Sequence, residues 1–173
     1  MLKTLLGTGG SKKLATDLCA SLGVRARDPV FFAELGVPDT IDGRFDMVVL
    51  HAWLVLERLR QLQMRDVSQA FVNLLFVGFD ESLRDLGVGD IGIGHRVKKM
   101  ADAFYGRLSA YGAATEQGAL EDAIRRNVYR STTGHDRGSA VLSHYVRSAQ
   151  AHMAGCDLAS QVPDFGPLPV PVG

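Results

Sequence analysis

A chain of 173 residues can bury one continuous core without a disulfide or metal staple, and its nearly half apolar composition excludes an intrinsically disordered protein. Nineteen basic side chains balance nineteen acidic ones, so there is no overall basic field for nucleic acid and any charged partner must be met by a local patch. The only cysteines, Cys19 and Cys156, stand alone without a second Cys or His at metal-ligand spacing, which fits reduced thiols in a cytosol-like compartment, so no structural disulfide is expected.

The N-terminal stretch Met1–Lys13 has too short an apolar run for a secretory signal and too little arginine for a transit sequence. Residues 1–10, with Gly7-Thr8-Gly9-Gly10, read as a flexible leader. Ser11 is then the expected N-cap of a first helix carrying Leu14, Leu18 and Leu22. Asp28-Pro29 reads as a cap followed by a first-turn proline, opening a short helix through Phe31, Phe32 and Leu35 that stops at Gly36. Pro38–Gly43 is turn chemistry.

From Phe45 to Leu62 the apolar residues cover most of a helix circumference, and a second such helix is expected from Val67 to Leu86, stopping at Gly87. Their most apolar stretches, Met47–Leu56 and Ala70–Phe79, are about half of the ~20 residues a membrane span needs, so both read as core helices at the middle of a bundle. Further apolar stripes run through Val97, Met100, Ala101, Phe104, Leu108 and Tyr111, then Leu120, Ala123, Ile124 and Val128, then Val141, Leu142, Tyr145, Val146, Ala149 and Met153. Four prolines between Gln161 and Gly173 forbid helix there. The expected architecture is all-α: one helical bundle of about six to seven helices over residues 11–156, with an extended Pro-rich tail over 157–173.

Gly87-Val88-Gly89-Asp90-Ile91-Gly92 matches the dinucleotide-binding fingerprint to the letter. That fingerprint needs a strand to deliver the loop to a helix N-terminus, and here the preceding element is helical, so a C-cap and turn is expected instead. His95, Arg96, Lys98 and Lys99 follow in what reads as the first turns of the next helix, where cations oppose the macrodipole at ~0.3–1 kcal/mol each. That patch is a candidate for lipid phosphate, rRNA or an acidic partner, against the plainer reading of a solvated basic face. His51, in the most apolar helix without a carboxylate or imidazole beside it, reads as a hydrogen-bonded core histidine. His144 and His152 lie too far apart on one helix to share a metal. There is no nucleophile elbow, no zinc-protease motif and no pair of carboxylates set in an apolar stripe. The chain reads as a binding protein that is not an enzyme, with no metal and no cofactor. The aromatic residues Trp53, Phe71, Phe76, Phe79, Phe104 and Tyr105 read mainly as core, Tyr105 alone falling to the side of its stripe.

Taken in order, Gly36-Val37-Pro38-Asp39-Thr40, Gly43-Arg44-Phe45-Asp46, and Val88-Gly89-Asp90 leading through Val97-Lys98-Lys99-Met100 to Ala103-Phe104-Tyr105-Gly106-Arg107 resemble the ubiquinol–cytochrome c chaperone family. The resemblance covers roughly Leu14 to Tyr129. It implies an all-helical, non-enzymatic assembly factor for the cytochrome bc1 complex, respiratory complex III. The family's mitochondrial members lie on the matrix side, bind newly made cytochrome b, act with a small partner protein and associate with the ribosome near its tunnel exit. Without an evident transit peptide this chain resembles a bacterial member, expected in the cytoplasm or peripherally on the inner membrane. The expected client and partner residues are Asp39, Arg44, Phe45, Asp90, Arg96, Lys98, Lys99, Tyr105 and Arg107, with the Asp39–Asp46 loop and the 87–107 turn-helix as adjoining parts of one surface. Expected partners are cytochrome b, a small assembly factor, and a ribosome or anionic membrane, with DNA excluded. Two alternatives stay open: a small-molecule or haem carrier using His51 or the glycine turn, and an RNA- or ribosome-binding helical module.

Overall fold

The computed structural model describes residues 8–87, 89–130 and 132–170, apart from the side chains of Thr8, Asp90 and Ile91. Six α-helices and one π-helical turn make an all-α bundle, and no strand occurs among the described residues. The α-helices are α1 (Thr8–Ala26), α2 (Ile41–Gln61), α3 (Arg65–Asp85), α4 (Asp90–Ala113), α5 (Gln117–Asn127) and α6 (Asp136–Ala154), with the π turn at Val30–Glu34.

α1 starts ahead of the expected cap. Ser11 sits inside it, buried in line with Ala15, Leu18, Leu22 and Ala26, so the core stripe runs back one more turn and draws Thr8, Gly9 and Gly10 out of the supposed leader into helix. The short element from Pro29 is a π turn because the Leu35 N–H reaches back five residues to Val30 O at 3.1 Å. The expected Asp28 cap is present, its Oδ1 accepting from the Val30 N–H at 3.0 Å.

α2 also begins earlier than Phe45. Thr40 is its N-cap, with Oγ1 accepting from the Gly43 N–H at 3.1 Å, so Asp42-Gly43 belongs to the first turn of the helix. Glycine is required there, because a β-carbon at position 43 would run into the Pro38 carbonyl oxygen. Residues from Met47 to Val55 are then buried almost without interruption, making α2 the axis of the core.

α3 departs from expectation. Only Val67, Phe71, Leu75, Phe79 and Leu83 are buried, a single stripe at four-residue spacing, while Val77 is half exposed. An all-round apolar sequence became a flanking helix because α1, α2 and α4 pack around its buried stripe while the side carrying Val77 is left to solvent. Gly87 ends the unit at φ 77° as expected.

α4 starts at Asp90, so the glycine turn is shorter than its sequence suggests and His95 lies well inside the helix. The basic residues therefore do not face the positive end of the macrodipole, and the cost attached to that placement does not arise.

Arginines fasten the C-terminal half. Arg147 Nη2 donates to the carbonyls of Ala114, Thr115 and Glu116 at 2.6, 2.9 and 3.2 Å, capping the end of α4. Arg58 donates through Nε and Nη2 to Cys156 O at 2.9 and 2.6 Å. The Pro-rich tail lies across the body: Leu158 and Phe165 are buried, and Arg25 donates to Gly166 O at 2.7 Å.

Candidate functional site

His51 is fully buried, with Nδ1 2.8 Å from Met47 O and Nε2 2.9 Å from the Tyr145 hydroxyl. A carbonyl can only accept, so Nδ1 carries the proton and Nε2 accepts from Tyr145. Burial holds the ring neutral and lowers its pKa to about 4. With both nitrogens committed, this is the core histidine the sequence indicates, and its geometry argues against an axial ligand for haem.

The family-like motif around Gly43–Asp46 divides between inside and outside. Arg44 and Asp39 are exposed and pair with each other at 2.7 Å, lowering the Asp39 pKa mainly through that hydrogen bond. Phe45 points inward, packed edge-on against Phe79 with ring centres 5.2 Å apart and with the Arg107 guanidinium 5.5 Å above it. Asp46 is wholly buried between Arg107 at 2.8 Å and Arg130 at 2.9 Å. Arg130 also lies 3.6 Å from Asp42. Burial outweighs the two cations and pushes the Asp46 carboxyl up to about 6.

This arrangement corrects two expectations. Phe45 and Arg107 do not offer themselves to a partner: the ring belongs to the core, and the 12% exposed guanidinium is held by Asp46. Asp46 and Arg130 act structurally, joining the start of α2 to α4 and to the segment after α5. Their pairing spans 84 residues of sequence, so no local spacing could signal it.

The other expected residues are placed along α4. Tyr105 is 56% exposed and stacks on Phe76 of α3, with ring centres 6.4 Å apart and planes within 20°. Phe76 in turn meets Phe79 at 5.5 Å and Phe104 at 5.4 Å, so a chain of rings runs from Phe45 through Phe79 and Phe76 to Tyr105. A surface aromatic is thereby backed by core aromatics. Val77 and Leu86 add exposed apolar area on the α3 side. Arg96, Lys98 and Lys99 are exposed on the N-terminal half of α4 and pair with no described acid. They lie about 12–17 Å along the helix from Arg107, the α4 residue that meets Asp46, at 1.5 Å per residue. The Asp90 side chain lies outside the described residues. The glycine turn connects two helices, which removes the strand the dinucleotide fingerprint requires.

No helix among the described residues is long and apolar enough to cross a membrane, and no His/Cys/Asp/Glu cluster among them has the makings of a metal site.

A solved structure described as the Cbp3 homolog from Brucella abortus superposes with a TM-score of 0.79 at 30% identity, covering 91% of this chain and 92% of that one. Ubiquinol-cytochrome-c reductase complex assembly factor 1 of Xenopus laevis is 23% identical over 121 residues, which is 68% of this chain and 60% of the relative. The corresponding factor of Mus musculus is 23% identical over 127 residues, 71% of this chain and 43% of its own length. The chain thus spans about half the length of these curated relatives. The model of the family described as ubiquinol-cytochrome C chaperone matches residues 33–160, and with an aligned segment that runs from the π turn to the start of the tail the chain belongs to that family.

Proposed function

We propose that this chain is a non-enzymatic chaperone for complex III assembly that holds newly made cytochrome b against the α3–α4 face. The observation that carries the reading is Tyr105, an aromatic ring kept half in solvent while Phe76 fixes it from behind. A ring in that state gives a large contact area at low entropic cost, and its hydroxyl tolerates both water and an apolar client. Val77 and the half-buried Phe76 extend the apolar ledge. Arg44 and Asp39 sit at the Phe45 end of the ring chain and supply polar contacts at the rim. Family membership and the complex III relatives support the same client class. No catalytic step is asked of the protein: its work is differential binding of an unassembled subunit over the assembled one. A small assembly-factor partner and a ribosome contact remain part of the proposal through the family alone.

The test is site-specific photo-crosslinking from position 105, with position 44 as a second probe, in cells synthesising the bc1 complex. Capture of cytochrome b from position 105 is the expected result. Capture of other proteins only, together with normal complex III assembly after deletion of the gene, would overturn the proposal.

A further inference from the structure

Some exposed cations elsewhere on this surface are neutralised by near neighbours: Lys13 pairs with Asp17, Arg44 with Asp39, Arg60 with Glu57, Arg84 with Asp80, and Arg125 with Asp122. Lys12, Arg27, Arg65, Arg126 and Arg137, by contrast, have no described acid beside them. The first half of α4 gathers such cations closely. Arg96, Lys98 and Lys99 fall within four consecutive residues, all are exposed, and none has an acidic partner among the described residues.

At about 100° per residue, Lys98 and Lys99 lie on the side of α4 opposite Ile93, Phe104 and Tyr111, which face the interior, while the exposed Arg96 stands on the flank, three residues on from Ile93. The two lysines therefore stand on the helix face turned away from the protein, with Arg96 at its margin. Asp102 is the one described acid of α4 on that face, leaving a local excess of positive charge in a chain whose total charge is zero. Exposed apolar side chains occur on the same pair of helices: Leu86 is 54% exposed at the end of α3, and Tyr105 lies two turns along from Lys98 on the same side of α4. Long cationic stems, an amphipathic tyrosine and an exposed leucine are the side-chain types that settle at a bilayer interface.

From this juxtaposition we infer that the N-terminal half of α4 docks on the anionic lipid headgroups of a membrane surface, with Arg96, Lys98 and Lys99 meeting phosphates and Leu86 and Tyr105 resting at the acyl boundary. The inference extends the chaperone reading, since a membrane-protein client is met at a bilayer. Lipid is favoured over an acidic protein because two of the three cations are lysines, which bind as point charges with no planar fork for a carboxylate, and exposed apolar groups occur near by in sequence.

The test is flotation of the full chain with vesicles of equimolar phosphatidylcholine and phosphatidylglycerol, compared with phosphatidylcholine alone. The wild-type chain is expected on the anionic vesicles only, released by raised salt. Arg96→Glu/Lys98→Glu/Lys99→Glu should weaken binding by at least about a hundredfold. Asp102→Lys should tighten it severalfold, which keeps the test informative if the triple variant folds poorly. Arg126→Glu/Arg137→Glu, on α5 and α6, should leave it unchanged. Equal binding to both vesicle types, or anionic binding that survives the triple substitution, overturns the inference. So does retention on single-stranded RNA without vesicle binding, which would assign the patch to phosphodiesters of another source. The vesicles contain no cytochrome b, so failure here leaves the crosslinking result at position 105 to stand or fall separately.

Discussion

The Asp46 cluster and the exposed face of α4 both draw on residues that give this chain its family resemblance, yet they differ in nearly every physical respect. Around Asp46 the charges are paired with partners far away in sequence, the carboxylate buried, Arg107 nearly so, and Arg130 closing the cluster from the surface. On the first half of α4 the charges are exposed and unpaired by described acids. A motif residue can therefore be retained because the fold fails without it or because a partner reads it, and only burial separates the two. Arg107 and Tyr105 make the point within one turn of helix: the guanidinium holds the bundle together, and the phenol leaves it.

The sharpest way to break this contrast is Asp46→Ala. It leaves Arg107 buried opposite no anion, and unfolding in urea should show a loss of about 3–5 kcal/mol. Asp46→Asn should cost less, because a neutral amide suits a site whose burial already favours the protonated acid. A loss below ~1 kcal/mol for the alanine variant would mean that the cluster is no more structural than the surface.

His51 and Asp46 give the interior a pH signature that the surface lacks. The folded His51 pKa is depressed to about 4, so its contribution is present above the unfolded value near 6.5 and is lost as pH falls through that interval, up to about 3 kcal/mol. The folded Asp46 pKa is raised to about 6, so its contribution is full below the unfolded value of 3.8 and is lost as pH rises through 6. The two trends oppose each other between pH 4 and 6. Replacing His51 with Gln should therefore turn a shallow stability profile into one that rises on acidification, measured by urea midpoints across that range. A profile unchanged from wild type would contradict the neutral buried imidazole.

Gly43→Ala tests the same region by sterics alone. The added methyl meets the Pro38 carbonyl, and a loss of about 1–3 kcal/mol is expected in thermal or urea unfolding. At the other end of the scale, Tyr105→Ala should change stability by less than about 1 kcal/mol, since only its stacking on Phe76 is forfeited. Under the proposed function it should nevertheless reduce cytochrome b capture. Large destabilisation with unchanged capture would move Tyr105 into the structural class.

Much of the fold was legible before the coordinates. The stripes on α5 and α6 and the stops at Gly36 and Gly87 were signalled by spacing and by glycine chemistry. Helix starts were less legible. α1, α2 and α4 each begin a few residues before the position their strongest apolar pattern indicates, because burial of Ser11, the Thr40 cap and a tight glycine turn extend them. Of the proposed client residues, Arg44, Lys98, Lys99 and Tyr105 are exposed, whereas the inward placement of Phe45 and Arg107 was obscure in the sequence because their surroundings are built by other helices.

The sequence by itself determined that the chain is an all-helical bundle with a core histidine and a Pro-rich tail, since those properties follow from local periodicity, backbone restriction and the cost of burying a charge. Only the tertiary structure decided that α3 is a flank and not a second axis, that the tail is strapped down through Arg25 and Phe165, and which motif residues face out. Those outcomes depend on which helix covers which face, and contacts between segments far apart along the chain leave no periodic trace within either segment.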